Sequence, residues 1–481
     1  MNRREFLKAT GASLMGPVLW SGCGHNKASS DSCTLHKHPN FVIILTDNMG
    51  YGDLACYGSK VNRTPHVDQM AREGMRFTSF YSSSGVSTPS RASLMTGCYA
   101  QRVDMHVSDK KGWVLRPVAA KGLNPNEVTI AEMLRQQGYA TICIGKWHLG
   151  DQPEFLPTRQ GFDCFYGIPY SEDMYPRPGR NWPPVPLLRN EQVVEAPVDL
   201  TRTTRRYVTE AIKFMKNNWR RPFFIYFPHH LPGSMRKPVV DARFSGKSAN
   251  GPWGDSIEEI DWSVGKILQM IKELNLDKRT LVLLVSDNGA PLRHGGSNEP
   301  LGGSGYTTSE GGMRVPCIIR WLGTIPQNRI CDEVCTMMDI LPTFTRLTGG
   351  TLPQDRIIDG HDAWALWSGQ TGAKSPYDVF YYYMVDQLQA VRCGQWKLHL
   401  ELNSNPGSHE DRDQEQPMRL INLSQDLQEK HDVSANYPDI VKRLLVWADK
   451  AREDLGDARR KGSGQRQAGW VKNPTPRVLI N

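Results

Sequence analysis

Four short runs of apolar, largely β-branched or aromatic residues dictate most of what this chain can become. They are Phe41-Val42-Ile43-Ile44-Leu45, Ala140-Thr141-Ile142-Cys143-Ile144, Phe223-Phe224-Ile225-Tyr226-Phe227 and Leu281-Val282-Leu283-Leu284-Val285. Runs of this length without polar alternation belong to strands buried on both faces. Helical patterns lie between them. Thr129 and Glu132 form a capping box for a helix that Gly138 stops, and Ile257, Ile260, Val264, Ile267, Ile271 and Leu274 repeat with helical period. The alternation predicts an α/β fold, in which a large domain holds a mostly parallel sheet with helices on both faces.

Each run stops at polar or ionisable residues: Asp47-Asn48, then Lys146-Trp147-His148, then His229-His230, then Asp287-Asn288. In an open parallel sheet the ligand lies beyond the carboxyl ends of the strands. Reaching solvent explains one or two polar strand ends, but poorly explains Asp, Lys, His and Asp-Asn arriving together. Asp47, Asn48, Asp287 and Asn288 offer only oxygen ligands, the set that suits a hard divalent cation such as calcium. Asp-Asn pairs are also frequent in turns, so the weight rests on finding two at equivalent strand ends.

A further stretch, Ser87-Thr88-Pro89-Ser90-Arg91-Ala92-Ser93-Leu94-Met95-Thr96-Gly97, reads as a helix start. Proline is tolerated in a first turn, where its missing amide hydrogen would have had no partner. Ser87 is therefore expected just before a helix N-terminus, where free amides favour an anion, with Arg91 one turn on. A hydroxyl needs activation to act as a nucleophile, and no histidine lies near Ser87 in sequence.

The Ser-x-Pro-Ser-Arg run at Ser87 to Arg91, continued by Ala-Ser-Leu-Met-Thr-Gly, resembles the signature of the type I, formylglycine-dependent sulfatases. These are arylsulfatase-like members of the alkaline phosphatase superfamily, and this chain is similar to their serine type. Lys146-Trp147-His148 resembles the family's Lys-x-His and His230-Leu231-Pro232 its His-x-Pro, with His229 a neighbour and Trp147 a packing residue. Glu310-Gly311-Gly312-Met313-Arg314-Val315-Pro316 resembles its Glu-Gly-Gly-x-Arg-x-Pro, and the likeness continues to Leu420-Ile421-Asn422-Leu423-Ser424-Gln425-Asp426.

The resemblance implies hydrolysis of a sulfate ester, most readily on a carbohydrate. Ser87, Arg91, Lys146, His148 and His230 would be catalytic, and one calcium ion would lie among Asp47, Asn48, Ser87, Asp287 and Asn288. Ser87 would be oxidised to formylglycine by a radical maturase acting as a transient partner. Its hydrated aldehyde would attack sulfur, His230 would protonate the leaving oxygen, and His148 would take the proton that lets the aldehyde re-form. Two departures stand out. Asn48 occupies a position where the family has aspartate, and Gly302-Gly303-Ser304-Gly305-Tyr306 lacks the family's sulfate-binding lysine. Their charges are opposite, so the expectation is that they compensate. A phosphodiester or phosphonate monoester hydrolase on the same fold, and a non-catalytic glycan-binding relative, are the alternatives.

The rest of the chain reads more coarsely. Residues 1–22, with Arg3-Arg4 ahead of a weakly apolar run, resemble a twin-arginine export signal, and Cys23 is a candidate lipid anchor site after Leu19-Trp20-Ser21-Gly22. That predicts an exported protein, either periplasmic or a lipoprotein of the outer membrane or cell surface. Residues 23–39 read as a linker, 40–370 as the catalytic domain and 371–481 as a C-terminal subdomain. In the last, short strands near 379–383, 389–392 and 396–400 and a helix near 439–455 predict a small antiparallel sheet with a helix against it, while the tail after Gly456 would wrap or be loose. Residues 166–197, rich in Pro, Tyr and Arg, show no periodicity and read as a long surface excursion beside the site. Ten cysteines form no metal-binding spacing, and Cys331 and Cys335 read as core residues or one bridge. The formal charge of +8 suits an anionic substrate, but no Lys/Arg cluster interleaves with aromatics, which argues against nucleic acid.

Overall fold

The computed structural model describes residues 38–404, 415–458 and 460–479. The export signal, Cys23 and the linker up to residue 37 therefore lie outside the described residues.

The main sheet has ten strands, and its centre is the set of runs that lack polar alternation. Thr280–Ser286, Asn40–Asp47, Phe223–Pro232, Ala140–Ile144 and Cys164–Gly167 lie side by side in that order, all parallel. Register pairs Phe41 with Leu281 on one side and with Phe224 on the other. Along Asn40–Asp47 the side chains alternate between two cores. Phe41, Ile43 and Leu45 pack into one, Val42 and Ile44 into the other. Neither face meets water, so the middle of the strand, residues 41–45, is apolar at every position. Antiparallel strands extend both edges, with Cys317–Arg320 and Met75–Phe77 beyond Thr280–Ser286 and a hairpin of Leu187–Arg189 and Gln192–Glu195 beyond Cys164–Gly167.

That hairpin corrects the expectation for 166–197. The segment begins on a sheet strand and returns to add two short edge strands, with Leu187 and Leu188 buried. Strands of three or four residues carry too few alternations to register as a period. The helix read from Ile257 onward starts earlier, at Gly251, and runs to Glu273.

The C-terminal sheet is antiparallel, as expected, with strands Phe380–Met384, Gln387–Cys393 and Trp396–His399 and a fourth, Arg419–Asn422. The helix Pro438–Asp454 covers it through Leu444, Ala448 and Ala451. Beyond Gly456 the tail wraps back onto the large domain. Gly469–Trp470 pairs with Lys121–Gly122, and Arg466 bonds Glu127 at 2.7 Å. All eight cysteines among the described residues are free, so Cys331 and Cys335 are buried core thiols and not a bridge. No helix among the described residues is long and apolar enough to cross a membrane.

Candidate active site

The first and central strand of the sheet ends at Asp47, and the fold brings the other strand ends to it. The helix Ser87–Thr96 begins at Ser87, which is thus its first residue, one position further in than the sequence suggests, and Gly97 closes it in the left-handed conformation that glycine adopts without penalty. Ser87 Oγ donates to Asp47 Oδ1 at 3.0 Å. One turn on, Arg91 bridges two strand ends, donating to Asp47 Oδ1 at 2.9 Å and, through Nε and Nη2, to Asp287 Oδ2 at 3.0 and 2.8 Å. Lys146 Nζ donates to both oxygens of Asp47 and to Ser171 Oγ at 3.0 Å.

Two buried cations thus face two buried carboxylates. Burial pushes the Asp47 carboxyl up, but Lys146 and Arg91 outweigh it and hold it well below the usual carboxylate range. Asp287 has Arg91 close but Lys146 further away, and burial pushes it up to about 6. Burial holds the imidazoles neutral: His230 is pushed down to about 4, and His148, with Lys146 and Arg91 adding to the effect, lies well below the ordinary value.

The amides complete the cluster. Asn48 N donates to Asp287 Oδ1 at 3.0 Å, and Asn288 Nδ2 donates to Asn48 Oδ1 at 2.6 Å. Asn288 Oδ1 is buried without a hydrogen-bond partner, the state expected of a ligand oxygen facing a cation. Among the described residues no group of three or more His, Cys, Asp or Glu side chains could hold a metal. A cation here would rest on two carboxylates and two amide oxygens, with Ser87 Oγ beside them, an oxygen-only set that fits a hard ion.

His148 Nε2 lies 3.0 Å from Leu115 O and His230 Nε2 lies 3.2 Å from Thr203 Oγ1, while the Nδ1 atom of each is buried without a partner. His229 Nε2 instead meets Ser263 Oγ at 2.8 Å, and its ring lies edge-on to Phe227, as fits a neighbour. Trp147 is fully buried in the core and donates to Phe155 O. Asn48 and His148 at the strand ends, and Tyr306, have φ of 65°, 62° and 69°, left-handed conformations.

Glu310 does not face the cluster. It is buried where the C-terminal sheet meets the large domain, bonded to the Tyr81 and Tyr382 hydroxyls and to Lys397. Sequence reading missed three residues that the structure brings to the site: Ser171, Glu172 and Ser234. Glu172 accepts from Ser171 Oγ at 2.9 Å and from Ser234 N at 2.7 Å, and lies 3.8 Å from Lys146. Ser171-Glu172 follows the Cys164–Gly167 strand, so the strand-end argument would have found the pair had that strand been read.

A family model described as Sulfatase matches residues 39–350, and a second, described as C-terminal region of aryl-sulfatase, matches 375–473. Among curated proteins, the chain is 36% identical over 450 residues to arylsulfatase A of Homo sapiens, covering 85% of this chain and 86% of that one. It is 37% identical over 380 residues to N-acetylgalactosamine-6-sulfatase of Canis lupus familiaris, covering 75% and 71%. Among solved structures, PsFucS1 sulfatase from Pseudoalteromonas sp. superposes with a TM-score of 0.75 at 25% identity, covering 86% of this chain and 90% of that one.

Proposed function

This chain belongs to the sulfatase family and is a sulfuric ester hydrolase, and from that premise we propose that it removes sulfate from a carbohydrate, with Ser87, matured to formylglycine, supplying the nucleophile. The observation that carries the reading is the contact of Ser87 Oγ with Asp47, within a buried set that also holds Arg91, Lys146 and Asp287. The carbohydrate is supported by the name of the N-acetylgalactosamine-6-sulfatase relative. It is also supported by the run after the Cys164–Gly167 strand, where Arg177 and Arg180 lie over Tyr175 and Trp182, a surface able to hold sugar rings and anions.

Asp47, Asn48, Asp287 and Asn288 would hold a calcium ion, which when bound supplies positive charge that acidifies a neighbouring hydroxyl and neutralises sulfate oxygens. Formylglycine at 87, when hydrated, offers a hydroxyl in place of the weakly nucleophilic serine. Lys146 and Arg91, already buried and fixed, hold the nucleophile and the charged sulfonyl oxygens, so no reorganisation is needed as charge develops. His230, held neutral by burial, gains a proton more readily once an anionic ester is bound and donates it to the leaving oxygen. His148 receives the proton released when the nucleophile is regenerated. Both histidines have a free Nδ1 for this work.

The same reading divides the chain into a catalytic domain over 40–370 and a C-terminal subdomain over 371–481. It also places the protein outside the cytoplasm by way of residues 1–22, with a lipid at Cys23 and a radical maturase as transient partner. A mass spectrum of the tryptic peptide Phe77 to Arg91 from natively produced protein tests the central point. Loss of two hydrogens at Ser87 is the expected result. An intact serine in exported protein would remove the nucleophile and leave a sulfated-glycan binder.

A further inference from the structure

The chain that leaves the site at Ser171-Glu172 makes a tight turn before it rejoins the sheet, and both limbs of the excursion are tied back beside the strand end. On the outgoing limb Met174 N donates to Ser171 O at 3.1 Å, and on the returning limb Pro184 O accepts from the Tyr170 hydroxyl at 3.4 Å. Arg177 stands five residues beyond Glu172, a reach of at most about 18 Å. The turn is Arg177-Pro178-Gly179-Arg180. Proline at its second position and Gly179, with φ of 77°, at its third make the pattern of a type II turn.

This turn sets two arginines directly opposite each other. Arg177 N donates to Arg180 O at 3.2 Å and Arg180 N donates to Arg177 O at 2.8 Å, which closes an antiparallel pair. Residues paired in this way carry their side chains on one face. Both guanidinium groups lie over the same indole, Arg180 at 4.6 Å and Arg177 at 5.8 Å from the centre of the Trp182 ring, and Arg177 also lies 5.4 Å from the centre of the Tyr175 ring. Trp182 packs in turn against the apolar core, so the pair has a fixed base. Like charges directly opposite on an antiparallel pair are destabilising. Further along the chain Arg189 and Arg206 are each matched to a glutamate, but among the described residues no carboxylate pairs with Arg177 or Arg180. Two exposed positive charges are thus held together at a cost that an anion bound between them would remove. Each presents a fork of N–H donors that matches a carboxylate or a tetrahedral oxyanion.

Resting on the reading of a sulfated carbohydrate bound beside Ser87, we propose that Arg177 and Arg180 form a second oxyanion subsite, which takes a carboxylate or a further sulfate on a sugar beyond the one that carries the ester being cleaved. The substrate class is then an acidic oligosaccharide with more than one anionic group. The turn selects it by charge and by the spacing between its two anions.

The test compares the full-length matured protein with the double variants R177Q/R180Q and R177K/R180K. Competition against 4-nitrophenyl sulfate gives inhibition constants for three probes: inorganic sulfate, a chondroitin sulfate tetrasaccharide, which has sulfates and carboxylates, and a κ-carrageenan tetrasaccharide, which has sulfates and no carboxylate. Isothermal titration calorimetry gives the same three affinities without turnover. In R177Q/R180Q at least one tetrasaccharide should weaken by roughly tenfold or more, the effect of losing hydrogen bonds to a charged group, and inorganic sulfate by a factor at least about fivefold smaller. R177K/R180K, which keeps both charges but not the fork, should fall between parent and R177Q/R180Q, and keeps the test open if that variant disturbs the turn. Loss for the carrageenan probe assigns a sulfate to the subsite, and loss confined to the chondroitin probe assigns a carboxylate. Equal factors for inorganic sulfate and both tetrasaccharides would overturn the subsite and leave the sulfatase reading intact. So would tetrasaccharides that bind the parent no more tightly than inorganic sulfate. A parent that binds the probes but turns over no ester would overturn the catalytic reading, while calorimetry on the variants still decides the subsite.

Discussion

Lys146 Nζ lies 2.9 and 2.8 Å from the two carboxylate oxygens of Asp47, and both side chains are sealed from solvent. A buried pair of this kind is costly to break, because removing one partner strands the other charge in a medium that solvates it poorly. Replacing Lys146 by Met is expected to cost about 3–5 kcal/mol of stability by that argument. It should also lower kcat on an aryl sulfate by roughly a hundredfold or more, the effect of deleting one preorganised donor. Thermal denaturation and steady-state kinetics on the same preparation check both. A Lys146→Met enzyme with parental kcat would show that Lys146 only neutralises Asp47.

A bound cation would give the unpartnered Asn288 Oδ1 a partner and stabilise the ionised Asp287 carboxyl that burial disfavours. Extensive chelation should therefore lower the melting temperature, and calcium should restore it. The gain from an ion present at about a hundred times its dissociation constant is about 2.7 kcal/mol. In Asp287→Asn the calcium-dependent shift should shrink sharply. A shift of undiminished size in that variant would place the ion elsewhere.

Glu310 ties the C-terminal sheet to the large domain. Burial pushes its carboxyl up, but Lys397, Arg392 and Arg314 outweigh burial and hold it well below the ordinary range. Glu429 joins the same network, 2.7 Å from Lys397 and bonded to the Glu310 amide. A carboxylate whose folded pKa is depressed contributes stability that is fully present above its unfolded value, near 4.5, and is lost as pH falls. Glu310→Gln should cost about 3–5 kcal/mol at neutral pH, and the gap between parent and variant should narrow as pH drops from about 5 towards 3. Denaturant melts across that range decide it, and a gap that stays constant with pH would exclude an ionic origin.

The wrapped tail is held by a partly buried pair. Arg466 meets both oxygens of Glu127, at 2.7 and 2.9 Å. Arg466→Ala should destabilise by about 1.5–3 kcal/mol, the range for hydrogen bonds to charged groups. It should also speed proteolysis beyond Gly456 without changing KM for a small aryl sulfate. A tail equally resistant in the variant would mean that the Gly469–Trp470 pairing with Lys121–Gly122 suffices alone.

The centre of the sheet was legible because the middle of a strand such as Asn40–Asp47, buried on both faces, is apolar without alternation, and that constraint is written locally. The strand-end chemistry was legible for the same reason: once Phe41, Ala140, Phe223 and Leu281 mark parallel strands, the residues at their carboxyl ends must converge. The Ser87 helix start needed only a proline, a following apolar run and Gly97. What no local pattern could supply is contact between residues distant in the chain. Ser171 and Glu172 were hidden because Cys164–Gly167 is four residues long and looks like loop. Glu310 reads in sequence only as part of a family-like motif, yet Lys397 and Glu429, distant in sequence, draw it to where the C-terminal sheet meets the large domain. The meeting of Asn48 with Ser234 was likewise decided by the tertiary fold. Which polar atoms face each other is a matter of position in space, and that is set only when the strand ends and the loop after Pro232 have closed around one point.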